Sequence, residues 1–332
     1  MRRKWLGIFI ILLAGGMVIW IWNREEKPNP VSKHLSAILP PVKELLWSAP
    51  DSIDIPHDDS GDLIRYGRKL ISKTSSYLGP AGSVGHYTNG MNCQNCHLNA
   101  GTVAWAGNFG SVSSLYPRFS DRRGSTETIN QRITDCFERS MNGKAPDSNS
   151  REMRAMNAYI RWVGKDVTKG KKPRGTGLEQ LSFIERSADP QKGKLVYVQK
   201  CQLCHGENGN GKTDSAGGYL YPPLWGVHSY NTAAGLYRLT KFAGFIKDNM
   251  PYGSSYINEH LSNEEAWDLA AFVNSQPRPV KKFKKDWPNI LLKPVDLPDG
   301  PFPDSFPVSQ HKYGPYAPIV KYKKDIAANS KK

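Results

Sequence analysis

Four of the chain's five cysteines fall in two Cys-x-x-Cys-His pentapeptides, Cys93 to His97 and Cys201 to His205. Two thiols separated by two residues can form thioethers to both vinyl groups of one haem, and the imidazole of the next residue then reaches the iron as proximal ligand. The alternatives are one shared four-cysteine zinc site or a pair of thioredoxin-like redox motifs, and neither requires a histidine directly after each pair. The pattern therefore points to two covalently bound haem c groups, one on Cys93, Cys96 and His97, the other on Cys201, Cys204 and His205. A chain of 332 residues has room for two compact domains of roughly 100 to 150 residues each.

Such haems are attached outside the cytoplasmic membrane, and the N-terminus fits export. After Met-Arg-Arg-Lys the chain runs apolar and uncharged from Trp5 to Trp22, 18 residues that would span about 27 Å as helix. Basic residues before the run and Glu25 and Glu26 after it keep the N-terminus cytoplasmic and place the rest on the periplasmic, extracytoplasmic side. A cleaved signal peptide is the competing reading, but the run exceeds a usual signal-peptide core and lacks a clear small-x-small site at its end. The expectation is a single-pass anchor in the cytoplasmic membrane. The formal charge of +15 suits an anionic partner, whether an acidic protein, a small anion or a membrane surface. No nucleic-acid module accompanies it, and the reading excludes nucleic acid as a partner.

The chain divides into an anchor over 1–24, a Pro-rich linker over 25–60, a first domain over 61–164, a linker over 165–187, a second domain over 188–278 and a C-terminal arm over 279–332. The two domains repeat. "MNAYIRW" at Met156 to Trp162 matches "LAAFVNS" at Leu269 to Ser275, pairing Tyr159 with Phe272. Tyr159 lies 62 residues after His97, and Phe272 lies 67 after His205. Both distances suit a small all-helical cytochrome c domain, whose first and last helices pack together beside the haem. The fold class is all-α, two tandem cytochrome c domains. Ten prolines between Pro277 and Pro318 leave little room for helix in the arm. Its aromatics, Phe283, Trp287, Phe302, Phe306, Tyr313 and Tyr316, suggest an extended segment wrapped over both domains.

The repeat also locates each iron's second ligand. Met250 precedes Pro251, which biases it into a loop, and lies 22 residues before Phe272. The equivalent count from Tyr159 lands on Cys136, 23 residues back. Ser125 can cap a helix on which Ile129, Arg132, Ile133, Cys136 and Ser140 share a face before Gly143 stops it. Metal binding deprotonates a thiol, and the resulting thiolate favours ferric iron. Met141 is the alternative to Cys136, which would then be a buried core thiol. His228, Lys241 and Lys247 are alternatives to Met250.

With "YPRFSDRRGSTETINQRITDCFERSMNG", "CQNCHLNAGT", "PPLWGVHSYN", "NMPYG" and "QHKYGPYAPI" in place, nearly everything after Trp47 resembles the dihaem thiosulfate dehydrogenases. More distantly, it is similar to the haem-Cys subunit of the periplasmic sulfur-oxidising system. The resemblance implies oxidation of two thiosulfate ions to tetrathionate, with Cys136 and Met250 as axial ligands, Cys136 also taking a sulfane sulfur, and electrons leaving through haem two. Coupling two dianions needs guanidinium groups beside the haem, and Arg118, Arg122, Arg123 and Arg132 are the candidates. Asp121, Glu127, Asp135 and Glu138 nearby offset part of that charge. Arg132 is best placed, one turn from Cys136. The implied electron acceptor is a cytochrome or a terminal oxidase. A tetrathionate reductase built on the same site and a dihaem electron carrier with no enzymatic activity are the other readings.

Overall fold

Asp58 starts the first long helix, α1 (Asp59–Ser72), by accepting a hydrogen bond from Gly61 N at 2.8 Å, as an N-cap aspartate should. The structure, a computed structural model, describes residues 46–215 and 217–329 together with the backbone of 6–13 and 16–23. Those last two segments form a separate unit of antiparallel strands, β1 (Leu6–Leu13) and β2 (Gly16–Asn23), with Leu6 opposite Asn23. No helix among the described residues is long and apolar enough to cross a membrane. The helical span expected from Trp5 to Trp22 is therefore not observed. The runs are rich in Ile and Val, whose branched side chains favour extended backbone. The remainder of the anchor and the linker up to Leu45 lie outside the described residues.

In the first domain α1 packs across α3 (Arg151–Val163), which Ser150 caps through Met153 N at 3.1 Å. Leu70, Ile71, Met153, Met156, Tyr159 and Val163 meet in one buried cluster. The contact is backbone-close at Gly67, where a Cβ would stand 2.0 Å from Ala155 O. The second domain repeats the crossing between α4 (Pro190–Lys200) and α6 (Asn263–Ser275). Here Asp189 caps α4, Pro190 occupies its first turn, and a Cβ at Gly193 would stand 1.9 Å from Asp268 O. The predicted pairing of first and last helices is thus present in both domains. In each, one glycine lets the helices touch.

Between these pairs lie the elements that build the sites. A short hairpin, β3 (Arg118–Ser120) with β4 (Ser125–Glu127), pairs Arg118 with Glu127 and leads into α2 (Ile129–Asp135). Ser125 is therefore a strand residue. The cap falls three residues later, on Thr128, which exchanges hydrogen bonds with Gln131 in a capping box. In the second domain α5 (Leu239–Asn249) is buried along nearly its whole length and ends at Met250.

The arm is less extended than its prolines suggest. Residues 277–307 carry little regular structure, but α7 (Val308–Tyr313) and α8 (Ala317–Asn329) follow. Pro318 sits in the first turn of α8, where a missing N–H costs nothing, and no proline follows it. Tyr316 and Ile319 join the second domain's core. Upstream, Asp286 and Trp287 reach the first domain: Trp287 N donates to Arg122 O at 2.8 Å, and Asp286 takes Arg139 Nη1 and Nη2 at 2.6 and 2.8 Å. A third cluster, Met91, Met141, Tyr230 and Ala234, joins the two domains.

Candidate functional site

Each Cys-x-x-Cys-His segment folds as a tight turn in which the histidine N–H donates back to the first cysteine's carbonyl, at 3.0 Å in both copies. Thr74 steadies the first turn, accepting from Cys93 N at 2.9 Å and donating to its sulfur at 3.2 Å. All five cysteines are free of disulfides. His97 Nδ1 donates to Gly107 O, and His205 Nδ1 donates to Pro222 O at 2.9 Å. This fixes the tautomer that leaves Nε2 available to a metal. Burial lowers both histidine pKa values and keeps the rings neutral, the ligating form. Both turns therefore fit haem c.

Beside the first turn opens a cavity of about 570 Å³, within the range of small-molecule and cofactor sites. Ile129, Arg132, Ile133, Cys136 and Ser140, the face read from the helical period, all line it together with Cys93, Cys96 and His97. At Cys136 the helix widens into a π-turn, Cys136–Ser140. Such turns disturb the backbone register and are frequent at functional positions. Met141 belongs to the cluster between the domains and is nearly fully buried there, although one side of it also meets the cavity.

The arginines separate by their partners. Arg123 donates to Asp135 at 2.7 Å and Glu127 at 3.3 Å, so it braces the hairpin against α2 and is not free to hold an anion. The same contacts take up two of the carboxylates that would offset the site's charge. Arg122 lies over the Trp287 ring, 5.4 Å from its centroid, and its Nη1 is buried without a hydrogen-bond partner. Burial first, and the charges of Arg139 and Arg132 next, push its pKa down to about 10. A guanidinium so placed is short of an anion. The Arg132 pKa is raised, chiefly by its electrostatic interaction with Cys136. Arg118 is exposed and lies over Tyr116, 4.9 Å from the ring centroid.

Three further cations line the cavity from a distance in sequence: Lys172 from the linker, and Arg238 and Lys241 from the second domain. Arg238 is held by Asp296 at 2.9 Å. Lys241, read as an alternative iron ligand for the second haem, instead faces the first site. Its pKa is lowered by burial and then by Arg238 and Lys172. The 238/241 spacing places both at the start of α5 on one side, the only local sign of a shared role. Nothing in the sequence near Trp287 signals its place against Arg122.

In the second domain Met250 caps α5, half-buried and packed on the core. Its competitors are differently engaged. His228 is exposed, with its carbonyl accepting from Asn89 Nδ2 at 2.7 Å, and buried Lys247 pairs with Glu259.

Residues 85–168 match the family described as SoxA/TsdA, cytochrome c domain, and residues 190–277 match cytochrome c. A thiosulfate dehydrogenase of Psychrobacter arcticus is 40% identical over 243 residues, covering 72% of this chain and 71% of its own. One from Allochromatium vinosum is 40% identical over 245 residues, covering 73% and 87%. The solved structure of thiosulfate dehydrogenase TsdBA from Marichromatium purpuratum aligns with a TM-score of 0.66 at 31% identity, over 73% of this chain and 52% of that longer one.

Proposed function

Because the chain belongs to the thiosulfate dehydrogenase family, we propose that the cavity beside His97 is where two thiosulfate ions are coupled into tetrathionate. The protein is a thiosulfate-oxidising enzyme with two covalently bound haem c groups. Cys93, Cys96, His97 and Cys136 would hold one haem and Cys201, Cys204, His205 and Met250 the other. When bound, the pair supplies two one-electron acceptors for the two electrons that the coupling releases.

The chain's own groups bring the anions together. Two dianions repel, and the six basic side chains that line the cavity, Arg118, Arg122, Arg132, Lys172, Arg238 and Lys241, offset that repulsion. Exposed Arg118 and Lys172 draw anions to the mouth. Arg122 offers a bound sulfonate its unpartnered nitrogen, and Arg132 stabilises Cys136 as thiolate. The Cys136 sulfur bonds to the sulfane sulfur of the first thiosulfate as two electrons leave. The sulfane sulfur of the second then attacks that outer sulfur, Cys136 departs as thiolate, and tetrathionate is released. Charge and sulfur balance at each step, and no proton is needed.

The observation that carries this reading is Arg122: a half-buried guanidinium whose Nη1 is buried without a hydrogen-bond partner, in the same cavity as Cys136. An anaerobic assay of purified protein with thiosulfate and ferricyanide tests it, with tetrathionate formation and haem reduction followed together. Absence of haem reduction by thiosulfate refutes the proposal. Arg122→Ala should lower kcat/KM by about 10²-fold with haem content unchanged, and Arg122→Lys should recover part of it. Unaltered kinetics in Arg122→Ala would remove Arg122 from the site.

The electrons pass to an external acceptor, a cytochrome or a terminal oxidase. The 18-residue apolar run from Trp5 to Trp22 supports anchoring to the cytoplasmic membrane, with the haem domains periplasmic. Full-length protein should sediment with membranes and resist a salt wash. Soluble mature protein beginning near Asn23 would show cleavage instead.

A further inference from the structure

At the end of α5 in the second domain, three carboxylates converge. Glu179 comes from the segment between the domains, Asp248 from the last turn of α5, and Glu259 from the loop that follows Met250. Each offers an oxygen within 4.8 Å of the other two. Asp248 is completely buried, and neither of its oxygens has a hydrogen-bond partner among the described residues. A buried, unpaired carboxylate is among the costliest groups a fold can hold. Its neighbours relieve it only in part: Glu179 is close enough to share a proton with it, and the nearby cation, Lys247, is turned to Glu259. The three acids and Lys247 leave a formal charge of −2.

We propose that Glu179, Asp248 and Glu259 bind a calcium ion that clasps the Met250 loop at both ends. Calcium takes oxygen ligands at 2.3 to 2.6 Å, so opposite ligands stand about 4.6 to 5.2 Å apart. The observed oxygens fit around one such ion with little movement. A divalent cation also cancels the residual charge. Magnesium suits the site less, because it keeps most of its water and demands a regular octahedron, whereas Asp248 has no solvent beside it. The ion would join the interdomain segment, the end of α5 and the far end of the loop, beside the Lys247–Glu259 pair already there.

The test is calorimetric titration of chelator-treated, full-length holoprotein with CaCl2, beside thermal unfolding in the same buffers. One ion should bind per chain, with a dissociation constant of about 10⁻⁴ to 10⁻³ M, the range of extracellular calcium modules. At 10 mM calcium the unfolding midpoint should rise by roughly 3 to 10 °C. Asp248→Asn should weaken binding at least about 10-fold, since affinity follows ligand charge. Glu259→Gln, at an exposed position whose amide oxygen can still accept from Lys247, should do the same. Absence of binding, binding unchanged in both variants, or tighter binding of magnesium than calcium would overturn the assignment.

Discussion

Cys136→Met protein should be purified with both haems attached and show thiosulfate-dependent ferricyanide reduction lowered on the order of 10³-fold or more. Haem attachment depends on the two Cys-x-x-Cys-His turns, which the substitution leaves alone, and the longer, flexible Met side chain can extend into the cavity that Cys136 lines. What it removes is the one group in the cavity able to form and release a sulfur–sulfur bond. It also removes the sulfur whose interaction raises the Arg132 pKa, so that guanidinium loses a favourable neighbour. Thiosulfate should be held as tightly or more tightly while turnover fails: the expected signature is a collapsed kcat with an unchanged or lower KM. Substantial turnover in Cys136→Met would mean that the sulfurs couple without a cysteine intermediate, and the arginine cradle would then be the whole of the catalyst.

Gly193→Ala should unfold the second domain more readily than any substitution of comparable size on the surface. The added methyl would lie 1.9 Å from Asp268 O and 2.4 Å from its carbonyl carbon, backbone atoms that no rotamer change can move. Separating α4 from α6 would disturb Tyr197, Trp267 and Phe272, which share the domain's core. The gain of about 1 kcal/mol from replacing a helical glycine is smaller than the steric cost, which belongs at or above the usual overpacking range of about 1 to 3 kcal/mol. A net loss of about 3 kcal/mol would lower the midpoint by roughly 6 to 12 °C. Gly67→Ala, 2.0 Å from Ala155 O, should act alike on the first domain. A wild-type midpoint for either variant would show that the crossing can widen without penalty.

The two haem turns, the helix pairs and the positions of Cys136 and Met250 were all legible because they depend on short-range rules. A pentapeptide encodes each turn. Helical period places Arg132 and Cys136 on one face, and a repeated count from the terminal helix finds both candidate ligands. Where the reading failed, a competing local preference or a distant partner decided. Ser125 has cap chemistry, but pairing with Ser120 claims it for a strand and hands the cap to Thr128. The arm's prolines stop at Pro318, so their count over the whole segment hid the helix that follows.

The arginines show the same division at the level of the site. As residue types Arg118, Arg122, Arg123 and Arg132 are equivalent, and all four stand within 15 residues of each other. Their charges in the fold differ because Glu127 and Asp135 face Arg123, while Arg122 is pressed beneath Trp287 from 165 residues further on. The sequence alone determined that this chain carries two haems, in two helical domains, with Cys136 on the helix face that lines the first cavity, since each follows from spacing along a single stretch of backbone. Only the tertiary structure decided which arginines are paired and that Lys172, Arg238 and Lys241 line the same cavity, because pairing and burial depend on segments that meet only when both domains and the arm are folded together.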